Sequence, residues 1–501
     1  MGNRKFEKLR DVLVLPSKRT LQIMKSKIPN GSGYQRHLYE KLRLLWSKVA
    51  NDPEDWDCIV SWDATGYKKT LKFNKHTGGL IGFGDHPESF SMHQMFSNKV
   101  NCFMVSSPQQ DIEINFPVAY YHCSTLDSSV VRQQLFEVMH GLEWAGLNVV
   151  SWVCDGASEH AKMFKSTLKQ FDDLHTDLKV RRDNIWAISD SPHLGKKFRS
   201  NWKSSGQKEW DTKMLRFRGS YIVWDIIRAT HKVATTSEDG TCRFPRCLHK
   251  LTWDVVDPSS IQLLRVNLAL IPFSKEVQEF TERNIHRISR EAGVRIQDVR
   301  LTLTYMRLVN ELFQIMNSRE PISWTEEDDG TGTPIGLRDK LDTTHNLTLS
   351  AYSDKYGVSI KTLKTVTGLP HSHSAPEPNS VIFIDRLKIL EDICQYFRVW
   401  KESITNLNQF SKAEKQCMFI SHWLYDDLRR TCLGMVGVVR QNIPKTKRRW
   451  VPRRFSQDPI ESLYSQIRGL SGSNNSMNTI DVDMGISEIR ALIFSKFHVH
   501  E

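Results

Sequence analysis

The stretch on which the fold depends lies near the C-terminus and reads RFSQDPIESLYSQIR, residues 454–468. Its apolar residues recur at the spacing of one face of an amphipathic helix. They are Ile460, Leu463, Tyr464 and Ile467. Asp458 suits the helix cap and Pro459 the first helical position. Glu461 follows the cap by three residues, so one interpretation is a capping box in which Glu461 bonds back to the backbone.

A second interpretation makes Glu461 a metal ligand, together with two acidic residues far upstream. Asp63 ends the predicted strand 59–63, and Asp155 follows the predicted strand 148–154. The two aspartates are 92 residues apart. A carboxylate at the end of a buried strand is costly unless it is paired, hydrogen-bonded or metal-bound. Ligands gather at the carboxyl ends of strands in open sheets, so the two aspartates would meet if their strands are neighbours. Turn formation at the strand ends is the alternative explanation of both residues.

Composition indicates an ordered protein with basic segments. The chain has 501 residues, 39% of them hydrophobic, and a net charge of +12. Residues 1–50 hold twelve Lys/Arg against three Asp/Glu, and residues 440–454 hold seven Lys/Arg and no acid. Two basic segments on a near-neutral body suit a polyanion such as DNA or RNA, although a solvated surface explains many charge runs. The nine scattered cysteines fit a reducing compartment.

The order of the predicted elements indicates domain organisation. Strands come first, then helices and strands alternate, which is the ribonuclease H arrangement of one mixed sheet with helices on its faces. A mainly helical region follows before the chain returns to the stretch at 454–468. No segment is apolar for long enough to span a membrane. The predicted domains are a basic helical region (1–50, a possible helix-turn-helix), a first core part (51–205), a helical insertion (206–409), a second core part (410–470) and a tail (471–501).

Five patches of the sequence resemble the catalytic part of P-element-type transposases and their THAP-domain relatives. They are LPSKRTL at 15–21, WD at 62–63 with KHTGGLIGF at 75–83, CDGAS at 154–158, DSPHLGKKFRSN at 190–201, and SQDPIE at 456–461 running on to QIRG at 466–469. The patches stand in the family's order and span nearly the whole chain. The resemblance implies an α/β ribonuclease H-like fold interrupted by a large, mainly α-helical insertion.

The resemblance also implies a site. Asp63, Asp155 and Glu461 would be the DDE triad that holds two Mg²⁺ ions, with Asp190 and Asp458 as auxiliary residues. A helix N-cap is the alternative role of Asp190. Residues expected to contact DNA are His193, Lys196, Lys197, Arg199, Lys18, Arg19, Lys447, Arg448 and Arg449.

The expected activity is metal-dependent cleavage and strand transfer at transposon ends. Expected partners are DNA and further copies of the chain, in the nucleus, and GTP binding is implied by the family alone. Two departures matter: Ala64 replaces the acidic residue usual after the first Asp, and the zinc-binding THAP module is not found in the sequence. The alternatives are a domesticated, catalytically silent DNA-binding protein and a nuclease of the same fold.

Overall fold

The computed structural model describes residues 31–50, 52–74, 79–85, 96–167, 181–182, 185–206, 211–237, 241, 248–325, 336–338, 386–446, 448–470 and 477–497. Of the predicted helix-turn-helix, the first helix at 15–21 lies outside this set, as do Lys18, Arg19 and Lys447, whereas the second helix at 39–49 lies within it.

The described strands are short and mostly lie in the first half of the chain. They are β1 (Asp57–Gly66), β2 (Lys72–Asn74), β3 (Gly79–Ile81), β4 (Lys99–Ser106), β5 (Asn115–Cys123), β6 (Asn148–Cys154), β7 (Arg181–Arg182), β8 (Ile185–Ser189), β9 (Arg216–Phe217), β10 (Ser220–Tyr221), β11 (Ser323–Thr325) and β12 (Gly336–Arg338).

The described helices run throughout the chain. They are α1 (Arg36–Val49), α2 (Ser128–Trp144), α3 (Ser158–Thr167), α4 (Ser191–Lys203), α5 (Asp225–Thr235), α6 (Trp253–Val256), α7 (Val266–Leu270), α8 (Lys275–Arg283), α9 (Ile285–Ala292), α10 (Ile296–Met316), α11 (Arg386–Thr405), α12 (Lys412–Met418), α13 (His422–Thr446), α14 (Asp458–Leu470) and α15 (Thr479–Lys496).

The chain forms two compact units. Unit 1 combines Met1–Lys169 with Ser456–Glu501, and unit 2 is Gln170–Phe455. The last helices therefore belong with the first strands, although unit 2 separates them in sequence. None of the described helices combines the length and the apolar character needed to cross a bilayer.

Unit 1 is built on a mixed sheet whose strands follow the order β5-β4-β1-β6. β1 pairs antiparallel with β4 and parallel with β6, and β4 pairs antiparallel with β5. β1 continues past Asp63 to Gly66, since Ala64, Thr65 and Gly66 pair with β4. Asp63 therefore lies inside the strand, three residues before its end, rather than at the end as predicted.

Helices cover both faces of this sheet. Ile460, Leu463, Tyr464 and Ile467 of α14 pack with Val100, Cys102, Met104 and Tyr120 of the sheet in one buried cluster, which residues of α15 complete. Asn101 points to the opposite face, because side chains alternate along a strand, and it donates a hydrogen bond to Gln134 of α2 at 2.7 Å. The expected mixed sheet with flanking helices is confirmed.

α1 belongs to unit 1 and packs on α2. Five of its side chains are fully buried, namely Leu38, Tyr39, Leu42, Leu45 and Trp46. The helices approach closely because Gly141 has no side chain, and a Cβ atom there would collide with the Tyr39 ring. The described part of the basic N-terminal region is therefore a packing element of the core.

Unit 2 is mainly helical, as the resemblance implies for the insertion. β8 is packed by α13, where Trp186 Nε1 donates to Gln441 Oε1 at 2.8 Å. α10 and α11 carry long buried faces that include Tyr305, Phe397 and Trp400. The centroids of these three aromatic rings lie no more than 6.4 Å from one another, and all three rings are buried.

Two predicted helices differ from the structure. A single helix over 411–430 is in fact two, α12 and α13, separated at Phe419–Ser421, where the Ser421 N–H bonds to Asn201 Oδ1. The predicted helix at 261–270 is a 3-10 turn followed by the short α7. Ile261 and Leu264 are exposed, so no packing supports a continuous helix there.

The predicted tail at 471–501 contains α15, which is fixed to β5. Arg490 is buried and donates through Nε to the carbonyl oxygen of Pro117 at 2.8 Å and through Nη2 to that of Val118. Its guanidinium also lies 5.4 Å from the centre of the Tyr120 ring. This segment is therefore part of the core rather than an appendage.

Candidate active site

Asp63 in β1 and Asp155, the residue that follows β6, come from neighbouring parallel segments of the sheet. β1 and β6 pair as far as Ser61 opposite Val153, and each aspartate lies two residues beyond this last pair. Adjacent strands are about 4.8 Å apart. Two of the three predicted ligands thus come from neighbouring strands of the sheet, near the carboxyl end of β6.

The Asp63 side chain lies on the sheet face that α14 covers. Asp63 pairs directly with Cys102 of β4, and residues directly opposite in an antiparallel pair share a face. Burial raises the pKa of the Cys102 thiol to about 12, and the Asp63 carboxylate adds to the rise. Burial likewise raises the pKa of the Tyr464 hydroxyl well above its usual value, again with a contribution from Asp63.

Two hydrogen bonds fix α14 to β1 beside Asp63. Tyr464 Oη donates to the carbonyl oxygen of Asp63 at 2.7 Å, and Gln457 Nε2 donates to that of Trp62. Gln457, Glu461 and Tyr464 are spaced at i, i+4 and i+7, which places them on one face of the helix. Glu461 therefore stands between the two residues that attach α14 to the strand carrying Asp63.

The Glu461 carboxylate is exposed, and it forms no hydrogen bond or ion pair with any described residue. A capping box is therefore not formed with the described part of the backbone. The Ser456 hydroxyl instead accepts from the Asp458 N–H at 3.4 Å at the helix start. The Glu461 side chain keeps the rotamer freedom that a ligand would need to turn toward a cation.

Asp155 is held by the first turn of α3. Its Oδ1 atom accepts from the Ala157 N–H at 2.9 Å and lies 2.7 Å from His160 Nδ1. Burial disfavours the protonated imidazole, but Cys154 and the Asp155 carboxylate outweigh this effect and raise the pKa of His160 to about 10. The ring also packs edge-on against Trp62, with centroids 5.8 Å apart.

The donor set fits a hard divalent cation in chemical type, because Mg²⁺ prefers carboxylate oxygens. Within the described residues, however, no three His, Cys, Asp or Glu side chains already stand as a group that could hold a metal ion. Asp63 and Asp155 follow the last pair of two neighbouring strands, and Glu461 lies on the helix that is bonded to Asp63 through Tyr464.

Asp190 in unit 2 has the N-cap role that was the alternative in the sequence. Its carboxylate accepts from the His193 N–H at 3.2 Å and lies 2.8 Å from His193 Nδ1. Pro192 occupies the first turn of α4, where its missing N–H costs nothing. The Asp190 side chain is buried, whereas part of the His193 ring remains accessible.

Two residues predicted to bind DNA have structural partners instead. Lys197 Nζ lies 2.6 Å from Oδ2 of Asp427, which is buried and also pairs with Arg430 at 3.0 Å. Arg199 is buried and donates to the carbonyl oxygen of Leu263. Burial lowers the pKa of Arg199 and removes its guanidinium from the surface that a phosphate would contact. Among the other predicted DNA contacts, Arg448 and Arg449 are exposed and Lys196 is partly exposed.

Comparison with known proteins finds a family model that matches the first part of unit 1. Residues 33–167 match the family model of the TNP-like, RNase H N-terminal domain. Residues 33–167 are thus similar to the RNase H N-terminal domain that this model describes. This domain begins within the segment that precedes α1, so it includes the helix that the sequence alone assigned to a separate region. No curated protein sequence matches the chain.

The fold extends this likeness to almost the whole chain. The structure is similar to that of the Drosophila P element transposase strand transfer complex, with a TM-score of 0.63 over 99% of this chain and 89% of that chain. Sequence identity is 15%, so this likeness shows a shared fold and no more. The resemblance to P-element-type transposases is thereby confirmed for the RNase H domain and for the overall architecture.

Three residues of the site were not singled out from the sequence. His160 could have been found as a histidine in the first turn of a helix that follows a strand-end aspartate. Gln457 and Tyr464 share the helical face of Glu461, but nothing in their spacing shows that they bond to the backbone of β1. That information exists only in the packed structure.

Proposed function

We propose that the chain is a DDE-type DNA transposase that cleaves transposon ends and joins them to target DNA. The observation that supports this proposal is that Asp63 and Asp155 each lie two residues beyond the last pair of β1 and β6, while Glu461 lies on the helix whose Tyr464 and preceding Gln457 bond to the backbone of Asp63 and Trp62. Three carboxylates in an RNase H domain are the groups that phosphoryl transfer requires, since its catalysis rests on positioning and charge stabilisation.

In this proposal Asp63, Asp155 and Glu461 would hold two Mg²⁺ ions. Bound there, the ions would supply charge stabilisation for the attacking and leaving oxygens. Water forms a bond to phosphorus as the phosphodiester bond at the element end breaks and leaves a 3′-hydroxyl. That hydroxyl then displaces one oxygen of a target phosphodiester. His160 orients the Asp155 carboxylate, and Tyr464 with Gln457 positions the helix that carries Glu461.

The partners follow from the same proposal. DNA is the substrate, and the protein with the similar fold was solved in a strand transfer complex. Assembly into a homo-oligomer, nuclear location and GTP binding remain predictions from the family resemblance.

The test uses a plasmid that carries the DNA flanking the gene of this protein. Cleavage of the plasmid by the full-length protein is measured with and without a divalent metal. We expect nicking and end joining with Mg²⁺ or Mn²⁺, and loss of both in Asp155→Asn and Glu461→Gln. Glu143→Gln, which changes an exposed helical glutamate of the same unit, should cleave as the wild type does. DNA binding without cleavage at any metal concentration would favour the catalytically silent alternative, and cleavage without joining would favour a nuclease.

A further inference from the structure

A β-hairpin between β1 and β4 exposes an aromatic ring. β2 and β3 pair antiparallel, with Phe73 opposite Leu80. Phe73 is 60% exposed, and Leu71 just before it is 48% exposed. A single exposed apolar side chain is ordinary on a protein surface. Whether Phe73 indicates a binding site therefore depends on the residues around it.

The sequence around Phe73 is basic. No acidic residue occurs between Asp63 and Asp85, a stretch that contains four lysines. Lys68 and Lys69, at the start of the hairpin, are exposed. An aromatic ring among lysines is the combination with which proteins bind single-stranded nucleic acid, because bases stack on the ring while cations follow the phosphates. This charge makes an acidic or a purely apolar partner a poor match.

The base of the hairpin is fixed at the end of β1. The Tyr67 N–H donates to the carbonyl oxygen of Asn98 at 2.8 Å, and the Lys68 N–H to that of Met477 at 2.8 Å. The carbonyl oxygen of Gly82 accepts from both the N–H and the hydroxyl of Ser97, at 2.9 and 3.1 Å. Both arms of the hairpin are thus bonded to unit 1 where β1 ends.

The same position lies close to the candidate active site. Gly66, the last residue of β1, is three residues beyond Asp63, which corresponds to about 10 Å along a strand. Gly82 has a φ of +127°, and a Cβ atom there would collide with the carbonyl oxygen of Thr70. Only glycine allows this close approach between the two arms at the base of the hairpin.

We propose that Phe73 is a stacking platform for an unpaired base of the DNA strand that enters the candidate active site. Lys68 and Lys69 would neutralise the phosphates that flank this base. The inference rests on the proposed function, since it assumes that the site beside the hairpin acts on DNA. Stacking would hold the strand while Asp63 and Asp155 face the scissile phosphate.

The experiment uses the full-length protein and a thymidine oligonucleotide of about 16 nucleotides that contains one 2-aminopurine. Stacking quenches the fluorescence of this base, and anisotropy gives the Kd. We expect Phe73→Ala to weaken binding about tenfold and to relieve the quenching. Phe73→Trp should restore both signals. Leu492→Ala, a change of an equally exposed apolar residue on α15, should leave them unchanged.

A second measurement addresses the lysines. The double variant Lys68→Gln/Lys69→Gln should reduce the slope of log Kd against log salt by about 1.4, because each phosphate contact on a single strand contributes about 0.7. Unchanged binding and quenching in Phe73→Ala would overturn the proposal. A change of oligomeric state in that variant, without a change in quenching, would also overturn it and indicate self-association instead.

Failure of the proposed function gives a different pattern. If the wild type never cleaves DNA but Phe73→Ala still loses affinity and quenching, the platform stands and catalysis does not. If cleavage depends on Asp155 but Phe73→Ala binds and cleaves normally, catalysis stands and the platform does not.

Discussion

At the scale of single residues, the contact between His160 and Asp155 has the most direct consequence. A carboxylate that accepts from a buried imidazole is fixed in one rotamer, and such supporting contacts commonly change metal affinity 10- to 100-fold, in round numbers. We expect His160→Phe, which fills the volume without a donor, to weaken Mn²⁺ binding by about that factor. His160→Asn keeps an N–H near the position of Nδ1 and should bind Mn²⁺ nearly as the wild type does.

The measurement is a titration of the free protein with Mn²⁺, followed by electron paramagnetic resonance, so it does not depend on activity. Phe keeps an aromatic ring against Trp62 whereas Asn does not, and therefore a general packing effect should weaken the Asn variant at least as much as the Phe variant. Equal Mn²⁺ affinities for the two variants would contradict the positioning role of His160.

Lys197 gives a second prediction at this scale. Because its ammonium pairs with the Asp427 carboxylate, which is 2% exposed, Lys197→Ala should destabilise the protein by about 1–3 kcal/mol. Arg430 remains as a partner of Asp427, so complete unfolding is not expected. Urea unfolding measures the loss, and Lys203→Ala, in the same helix, is a control with a more exposed partner, Asp257.

The role of Lys197 in DNA binding can be separated in the same variant. If Lys197 contacted phosphate, Lys197→Ala would lower the salt dependence of DNA binding by about one phosphate contact. We expect this salt dependence to be unchanged. A smaller slope with unchanged stability would restore the prediction made from the sequence.

Single residues were predictable where a strand end or a helix start gave them a chemical reason. Asp63 and Asp155 were singled out in this way, whereas Glu461 was joined to them through the family resemblance. The structure places the two aspartates two residues beyond the last pair of β1 and β6, and Glu461 on the helix bonded to Asp63. Arg199 was predicted as a surface cation but is buried, and the partly exposed Lys197 is paired with a buried carboxylate, because a sequence shows neither burial nor distant partners. Their partners, Asp427 and the carbonyl oxygen of Leu263, lie 230 and 64 residues away.

At the scale of elements, the attachment of α14 to β1 decides where Glu461 stands. Tyr464→Phe removes the hydroxyl that donates to the Asp63 carbonyl oxygen but keeps the buried ring. We expect a loss of about 1 kcal/mol in the free energy of unfolding, together with a lower rate of cleavage at saturating metal. Thermal unfolding and a nicking assay measure the two effects.

Ser465→Ala is the matched control, since Ser465 is the next residue on α14 and is exposed. It should change neither stability nor rate. A Tyr464→Phe protein that is less stable but cleaves at the wild-type rate would show that the bond supports the fold without positioning Glu461.

Elements with a clear period were predictable from the sequence. β6 occurs at the predicted bounds, Asn148–Cys154. α14 lies where the apolar spacing predicted a helix. Bounds failed where tertiary contacts overrode local pattern. β1 is longer because β4 pairs with its last residues, and the predicted helix at 411–430 breaks where Asn201 takes a backbone N–H.

At the scale of the whole molecule, unit 1 is assembled from two distant segments. Removal of residues 456–501 would expose the sheet face formed by Val100, Cys102, Met104 and Tyr120, which α14 and α15 cover. We expect a chain that ends at Phe455 to be insoluble or to bind a hydrophobic dye strongly. A chain that ends at Phe497 retains both helices and should stay soluble with an unchanged melting temperature. A folded, soluble chain ending at Phe455 would contradict this account.

The whole-molecule arrangement could be predicted only through the family resemblance. Periodicity finds a helix at the C-terminus, but it cannot show that this helix packs on strands more than 300 residues earlier. The predicted tail failed for the same reason, because Arg490 and its carbonyl partners in β5 are 373 and 372 residues apart.

The divided unit also orders events during synthesis. A ribosome adding about 5–20 residues per second needs on the order of 15–60 seconds to make Gln170–Phe455 after the two aspartates have emerged. Glu461 is then translated within the same segment that completes the core. A product interrupted before that point lacks both its third carboxylate and the helices that cover its sheet. We therefore expect an unfinished chain to be degraded by proteases and not to cleave DNA.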